Sequence, residues 1–534
     1  MDDGAKDAEA RKRAAAARKA TRATAQALGT AAALARGQIV ERIGGPARAR
    51  VITLFGCVLA LATADASTIG AIAPQLAGAS SSWHISEAQL ALLSTATLLV
   101  GAVFVIPVGM LVDRVHRLPL LSASILLWSA ASLASALSPD YSTLLLTRLA
   151  LGAVTATAGP AIASLTGDFF PAKERGRVYS YILAGEVAGT AAGFIVSGTV
   201  SSLISWRAAF ILLAIPGVFL ARALYRTVPE PLRGGQSYLE PGVQDLHEAM
   251  AAMRHRAAAP VSPEDAPTRV EEPAHQAVRR RGVSADPRLV LREDPDRMPI
   301  SRAIRYVLQI PSNVMLILGS SLGYFYFAGL SLYAVQFVVG HYHEPQVTAE
   351  LVLVLLVLGA IAGTLIAGRL SDSLVRRGFV EARVLIPAVC YLGAVALLIP
   401  GILSHNLSSA IWLDIGGAAL LSAANPPLNA ARLDIMPSQL WGRAESVRTF
   451  VRSIFQALAP LIFAGICAAF VGITPTQDAG SHLPPSKANL YHVATGLEWS
   501  FLILLATLAA AGIFLARARH TYPVDVATAA ASQA

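Results

Sequence analysis

Three ionisable side chains, Asp65, Arg148 and Glu186, each fall inside a run of mostly apolar residues. A charge in such a run is costly and by default is functional or paired. Burial makes a carboxyl group hold its proton more tightly, and a nearby arginine opposes that effect. We therefore predict that these three residues take part in proton binding. The competing interpretation is a static ion pair between Asp65 and Arg148.

Two short charged motifs stand at matching places in the two halves of the chain. Residues 109–117 read Gly-Met-Leu-Val-Asp-Arg-Val-His-Arg, and residues 368–378 read Gly-Arg-Leu-Ser-Asp-Ser-Leu-Val-Arg-Arg-Gly. Their ion pairs could form in one conformation and separate in another. We predict a conformational latch formed by these and nearby residues: Gly109, Asp113, Arg114, Arg117, Asp168, Arg175, Gly368, Asp372, Arg376 and Arg448.

The partner of Asp113 in this latch is expected to be Arg114, Arg117 or Arg448. The two copies are unequal, because an arginine follows Asp113 whereas Ser373 follows Asp372. The competing interpretation is that the basic residues only anchor the loops on one side of a membrane.

The composition is that of a membrane protein. Of the 534 residues 54% are hydrophobic and 14% are charged, against about 25% charged in a soluble domain. Apolar runs longer than about 18 residues recur, which is the length needed to cross a bilayer. We predict an all-α polytopic fold with twelve spans near residues 51–77, 88–111, 118–137, 142–167, 178–203, 207–228, 308–340, 347–370, 383–404, 409–433, 446–472 and 494–517.

An alternative has ten spans and two re-entrant segments, because the run 409–433 contains Asp414 and two adjacent prolines. By either count the chain divides at a proline-rich, charged segment. The predicted parts are a basic tail 1–50, a six-helix bundle 51–228, a flexible linker 229–304 with a short helix near 244–255, a second bundle 305–517 and a tail 518–534.

Lysine and arginine residues predict the orientation. Eleven of the first fifty residues are basic and both motif loops are basic, whereas residues 78–87 and 138–141 hold no Lys or Arg. Because cytoplasmic loops of membrane proteins carry an excess of these residues, we predict that both termini and both motifs are cytoplasmic. The expected location is the cell (inner or plasma) membrane.

Other classes of protein fit poorly. The net charge of +9 is spread over segment ends, which does not make a nucleic-acid surface. Cys57, Cys390 and Cys467 lie in apolar runs and suggest neither disulfides nor thiolate metal ligands. The sequence holds no Gly-Lys-Ser/Thr phosphate loop, so ATP is not expected as the direct energy source. We expect no enzyme, no catalytic residue, no metal and no cofactor, with a proton gradient as the energy source.

Several motifs together resemble the major facilitator superfamily over nearly all of the chain outside the tails and linker. Besides the two loop motifs, they are Arg148-Leu-Ala-Leu-Gly152, Asp168-Phe-Phe-Pro171 with Arg175, Trp206-Arg207-Ala-Ala-Phe210 and Pro229-Glu230-Pro231. The resemblance implies two six-helix bundles facing each other across a central cavity, and transport by alternating access.

Narrower resemblances favour two substrate classes. Span 1, with Asp65-Ala-Ser-Thr68, resembles proton-coupled drug exporters, which implies export of an amphipathic or lipophilic molecule by proton antiport. The stretch from Gly359 to Asp372 resembles spinster-type lipid transporters, which implies a lysophospholipid or other lipid. A third possibility is a sensor with a transporter fold that signals through its linker. In span 5, Gly185, Gly189 and Gly193 resemble an antiporter motif, with close helix packing as the competing interpretation.

The predicted substrate cavity contains Tyr324 and Phe327, which share a face of span 7, and Asp414 of span 10. Only Arg148 among the basic residues is expected deep within a span. We therefore expect a zwitterionic, cationic or neutral substrate, and expect the first half to hold the coupling chemistry. The expected partners are a small-molecule or lipid substrate and membrane lipids, with no nucleic acid, for a monomeric protein.

Overall fold

Twelve helices that are long and apolar enough to cross a membrane dominate the described residues, which confirms the predicted fold class. The structure is a computed structural model, and it describes residues 37–77 except 39 and 42, 87–233, 239–258, 273–293, 295, 298–471 and 485–533. No strand occurs within these ranges. Residues 1–36 of the predicted tail 1–50 therefore lie outside the described residues, and its last residues belong to the first span.

The helices follow the predicted order. Spans 1 to 6 are Pro46–Ala77, Glu87–Arg114, Arg117–Ala136, the pair Tyr141–Thr155 and Ala158–Phe169, Ala172–Leu203, and Trp206–Thr227. Spans 7 to 12 are Pro311–His341, Gln346–Arg376, Ala382–Leu403, the pair Leu407–Ala423 and Asn425–Asp434, Trp441–Val471, and Pro485–Ala518. Shorter elements include Leu246–Ala258, Pro273–Arg280, Ile300–Gln309, the 3₁₀ turn Ser438–Leu440, and Tyr522–Gln533. Spans 5 and 11 begin several residues earlier than predicted. The earlier start of span 5 brings Gly176 and Arg177 into a helix that contacts Asp372, and that of span 11 places arginines at the cavity.

Spans 4 and 10 are each broken into two helices, at equivalent places in the two halves. Pro160 follows the first break and Pro426 follows the second. A proline lacks the amide proton for the helical hydrogen bond and its ring crowds the carbonyl four residues earlier. The local sequence thus explains both breaks, and span 10 is a broken helix of crossing length and not the predicted re-entrant alternative.

Spans 1 and 5 pack with their backbones in direct contact. A Cβ atom added at three glycines of span 5 would lie 2.2–2.5 Å from carbonyl oxygens of span 1, in the pairs Gly185 with Gly56, Gly189 with Ala60, and Gly193 with Ala64. No side chain fits in such a gap, so the four-residue glycine spacing is explained by close helix packing.

The described parts of the linker and the C-terminal tail pack against the bundle. Leu246 and Met250, in the helix predicted near 244–255, are buried against the first half. Val278 of the second linker helix and Tyr522 of the C-terminal helix are buried against the second half. The linker, expected to be flexible because of its prolines, is therefore docked at these two helices, because each buries apolar side chains against the bundle.

Candidate functional site

A cavity with two adjoining lobes lies between the two halves of the protein. The lobes have volumes of about 300 and about 330 Å³ and share Glu186, Tyr324 and Gln456 among their lining residues. The first lobe is mainly apolar, and its lining includes Leu98, Phe194, Phe327, Leu332 and Pro460. The second lobe is charged, and its lining includes Asp65, Arg148, Glu445, Arg448 and Arg452.

The predicted Asp65–Arg148 pair exists and lines the charged lobe. Arg148 Nη1 donates to Asp65 Oδ2 at 3.1 Å, and both side chains are at most 2% exposed. Ser132 donates to the other Asp65 oxygen at 2.8 Å. The Arg148 guanidinium also donates to Ser135 Oγ and lies 4.5 Å from the centre of the Phe210 ring. The carboxylate and the guanidinium are thus held by serines of span 3 and a ring of span 6, and both reach the cavity.

Glu186 stands apart from this pair. Its Oε1 accepts a 3.4 Å hydrogen bond from the Tyr324 hydroxyl of span 7. The Tyr324 ring in turn carries the Arg452 guanidinium of span 11 at 4.6 Å from its centre. Glu186 therefore connects the first half to the second, whereas Asp65 and Arg148 form a pair within the first half.

Three arginines of the second half, Arg432, Arg448 and Arg452, lie at the charged lobe or contact its lining. The sequence interpretation missed Arg432 and Arg452, and it placed Arg448 in the latch. Glu445 forms ion pairs with both Arg432 and Arg448. It also accepts a 3.2 Å hydrogen bond from Thr449. The expectation that Arg148 is the single deep basic residue is therefore wrong. The proposed Asp113–Arg448 pair is also wrong, since Arg448 belongs to the cavity.

The position at which span 11 begins explains why the predicted span placed its arginines near the membrane surface. The predicted span began at residue 446, but the helix begins at Trp441. At about 1.5 Å per residue, Arg448 and Arg452 lie about 10 and 16 Å into the helix. The spacing of Glu445, Arg448, Arg452 and Gln456 places them on one helical face, and this polar stripe was the available signal.

Asp113 of the first motif joins the two halves. Its carboxylate accepts hydrogen bonds from the backbone amides of Gly442 and Arg443, each at 3.1 Å, and from Arg443 Nε at 2.9 Å. A carboxylate suits the start of span 11, because helix amides there lack helical partners. Gly109 is required here, since a Cβ atom would lie 1.9 Å from Ser446 Oγ.

Asp372 makes the corresponding connection from the second half to the first. It accepts from the backbone amides of Gly176 and Arg177 at 3.0 and 2.6 Å, and pairs with Arg383 at 2.7 Å. A Cβ atom at Gly368 would lie 2.3 Å from the Gly176 carbonyl oxygen. We call the end of the bundle that holds Asp113 and Asp372 the motif side. Two related contacts close the halves against each other on that side.

The other predicted latch residues divide into three groups. Arg117 forms ion pairs with Asp168 of the first half and with Glu230, which follows span 6. Contacts between the halves come from Arg175, 3.5 Å from Asp434, and from Arg376, which donates to the Lys173 carbonyl at 3.2 Å. Arg114 is exposed. The predicted Asp113 partners Arg114 and Arg117 are therefore corrected to Arg443, which comes from a distant part of the chain.

Tyr324 and Phe327 line the apolar lobe as predicted, and their rings meet edge to face with centres 6.5 Å apart. Asp414 does not line either lobe. Its helix turns the carboxylate towards span 9, where a Cβ atom on Gly401 would lie 2.3 Å from Asp414 Oδ1. The prediction of Asp414 as a cavity residue is wrong, because hydropathy does not fix the rotation of a helix.

The sequence pattern of the Major Facilitator Superfamily matches residues 54–460. The chain belongs to this superfamily. It is therefore a multi-pass membrane protein of a transporter family, with its cavity between the two halves. Among the described residues, no three His, Cys, Asp or Glu side chains are grouped so as to hold a metal ion.

Individual relatives match shorter stretches. The 4-hydroxybenzoate transporter PcaK of Pseudomonas aeruginosa is 30% identical over 35% of this chain and 41% of its own length. The quinolone resistance protein NorB of Staphylococcus aureus is 32% identical over 25% and 29%. The lincomycin resistance protein of Streptomyces lincolnensis is 33% identical over 32% and 35%. This chain thus spans less than half the length of the curated relatives it matches.

Two solved structures share the fold. An inward-facing, unoccupied bacterial homologue of the human lysosomal transporter Spinster has a TM-score of 0.54 at 20% identity, with 90% of this chain and 98% of that chain covered. The proton:xylose symporter XylE has a TM-score of 0.60 at 15% identity, with 88% and 95% covered. At these identities the likeness concerns the fold alone.

Proposed function

We propose that the protein is a secondary active transporter of the cell membrane that exports an amphipathic small molecule by proton-coupled alternating access. One observation carries the proposal. The cavity between the halves is closed on the motif side by paired contacts, and a buried Asp65–Arg148 pair lines that cavity. The motif side is assigned to the cytoplasm by its basic loops.

Alternating access requires contacts that can be made and broken as units. Asp113 with Arg443 and Asp372 with Arg177 each join one half to the other, and neither is a covalent link. Opening on the motif side would separate both sets, and the cost would be offset by contacts made on the opposite side. The state described here is closed on the motif side.

Proton coupling is assigned to Asp65. Its carboxylate is buried and is paired to one arginine. Protonation would remove the charge that holds Arg148, so proton binding and the arrangement of spans 1 and 4 would change together. Export is favoured by the names of two relatives, which are resistance proteins for quinolones and lincomycin.

The test is flux in liposomes containing the purified protein, under an imposed proton gradient. Amphipathic probes of drug size should move against their own gradient, and a protonophore should stop them. A fluorescent lysophospholipid forms a second arm, because the apolar lobe and the shared fold also allow a lipid substrate. If the lipid moves independently of the proton gradient, the function is lipid transport and not proton-coupled export.

Loss of the Asp113 contact is expected to open the motif side. Ser446 is buried beside Gly109. The measurement uses a background in which Cys57, Cys390 and Cys467 are changed to serine. In this background the single cysteine of Ser446→Cys should react slowly with a bulky maleimide. Adding Asp113→Asn removes the charge facing Arg443. Breaking a buried charge pair costs about 3–5 kcal/mol, so labelling should rise about tenfold or more.

The double change Asp113→Asn with Asp372→Asn should label faster still, since it weakens both contacts. Asp140→Asn is the matched control, because Asp140 caps span 4 through the Thr143 amide and touches neither motif. Equal labelling rates in the double variant and the control would contradict the latch.

A further inference from the structure

We propose that the charged lobe binds an anionic group of the substrate at Arg452, with Arg448 beside it, and that the substrate is an amphipathic organic monoanion. The proposal rests on the proposed transport function and goes beyond it by assigning a substrate class. It also reverses the expectation of a zwitterionic, cationic or neutral substrate.

The first argument is the balance of charge at the lobe. Four guanidinium groups and three carboxylates lie at the lobe or in direct contact with its lining: Arg148, Arg432, Arg448 and Arg452 with Asp65, Glu186 and Glu445. One positive charge is therefore left over. An anion that enters a desolvated, positively charged site gains from this excess.

The second argument is how these charges pair. Asp65 is matched by Arg148, and Glu445 is shared between Arg432 and Arg448. No carboxylate of the described residues comes within 4.0 Å of Arg452 to form an ion pair. Glu186, the third carboxylate, acts on both Arg448 and Arg452 without a close ion pair to either. The surplus positive charge is thus shared between the arginines of the second half, and Arg452 is the one among them without a close carboxylate from the described part of the chain.

The third argument is unused hydrogen-bonding capacity. The Nε atoms of Arg448 and Arg452 are buried and have no hydrogen-bond partner. A buried donor without an acceptor is destabilising. Arg452 also lies over the Tyr324 ring, and the Tyr324 hydroxyl is near enough to interact with the guanidinium, but the Arg452 Nε atom keeps no acceptor. A carboxylate or similar anion from the substrate would supply the missing acceptors.

The apolar lobe indicates the chemistry of the rest of the substrate. It adjoins the charged lobe and shares Tyr324 and Gln456 with it, so one molecule can reach both. Its lining includes Phe194, Phe327 and Pro460, and its volume of about 300 Å³ suits an aromatic ring system or a medium alkyl chain. The anionic head would meet Arg452 while the apolar body fills this lobe.

Binding of matched probes to the purified full-length protein tests the proposal at constant pH. One set is 2-naphthoate, 2-naphthamide and 2-naphthylmethylammonium, and a second is decanoate, decanamide and decylammonium. Each set keeps the apolar body and changes only the head group. We expect each carboxylate to bind at least tenfold more tightly than its amide and its ammonium analogue, measured by tryptophan fluorescence and by the shift of the unfolding temperature.

Variants locate the effect. Arg452→Gln should weaken carboxylate binding by about 10- to 100-fold, the range for a lost hydrogen bond to a charged group, and should leave amide binding unchanged. Arg452→Lys keeps the charge and should restore part of the affinity. Arg302→Gln is the matched control, because Arg302 is exposed and pairs with Glu293 outside the cavity.

Three results would overturn the assignment: no binding of either carboxylate at millimolar concentration, an amide or ammonium probe that binds as tightly as its carboxylate, or unchanged carboxylate affinity in folded Arg452→Gln and Arg452→Lys proteins. Failure of transport is recognised separately. Proton-driven flux of a cationic probe without carboxylate binding would retain the transporter and remove the anion site. Carboxylate binding without any flux would retain the anion site and contradict the transport function.

Discussion

Asp65→Asn is expected to abolish proton-driven flux while leaving the protein folded. An asparagine side chain has nearly the same shape and can still hydrogen-bond to Ser132 and Arg148, which now hold the two carboxylate oxygens. It cannot bind or release a proton in the working pH range. Flux in liposomes should therefore no longer respond to an imposed proton gradient. The unfolding temperature should fall, because Arg148 loses its balancing charge, but the protein should remain folded, since the amide oxygen still accepts from Arg148.

Asp65→Ala provides the contrast. It would leave Arg148 buried without its carboxylate, and an uncompensated buried charge costs about 3–5 kcal/mol. We expect Asp65→Ala to lower the yield of folded protein more than Asp65→Asn, because alanine also removes the hydrogen-bond acceptor of Arg148. Asp140→Asn, on an exposed loop, controls for the loss of a carboxylate elsewhere. Full gradient-driven flux in Asp65→Asn would show that the Asp65–Arg148 pair is a structural ion pair and not a proton carrier.

Gly189→Val should prevent stable assembly of the first half. A Cβ atom at this position would lie 2.2 Å from the Ala60 carbonyl oxygen and 2.4 Å from its Cα atom. Both are backbone atoms, so span 1 would have to move away as a whole. Overpacking costs about 1–3 kcal/mol even where side chains can adjust, and the loss should be larger here. Size-exclusion profiles and thermal unfolding in detergent would measure it.

Gly198→Val is a closely matched control. It lies on the same helix, carries the same change of residue, and has no atom within 4 Å of an added Cβ. The cost of a β-branched residue in a helix is therefore common to both variants. Equal stability of the two would mean that spans 1 and 5 separate easily, against the close packing described above.

The two halves contribute different parts of the cavity. The first half supplies the isolated Asp65–Arg148 pair. The second half supplies Arg432 and Arg448, which share Glu445, and Arg452, which lies over the Tyr324 ring. Glu186 and Tyr324 meet between them. The expectation that coupling chemistry belongs to the first half stays a prediction, and the structure adds that charged residues of both halves reach the same cavity.

The sequence by itself determined the fold class, the number of spans and the superfamily. Crossing a bilayer requires about 20 mostly apolar residues in a row, which is a local property that can be measured along the chain. The breaks in spans 4 and 10 were likewise open to prediction, since Pro160 and Pro426 act on their own helix. Asp65 and Arg148 could be paired from the sequence because a charge within an apolar span needs a partner.

Only the tertiary structure decided which side chains meet. The partner of Asp113 is Arg443, at a sequence separation of 330 residues, and the motif itself does not specify it. Asp414 turned away from the cavity, while Arg448 and Arg452 entered it. The physical reason is that hydropathy fixes how long a span is but neither its rotation nor its first residue. Those are set by contacts between spans, such as the glycine contacts of span 5 with span 1.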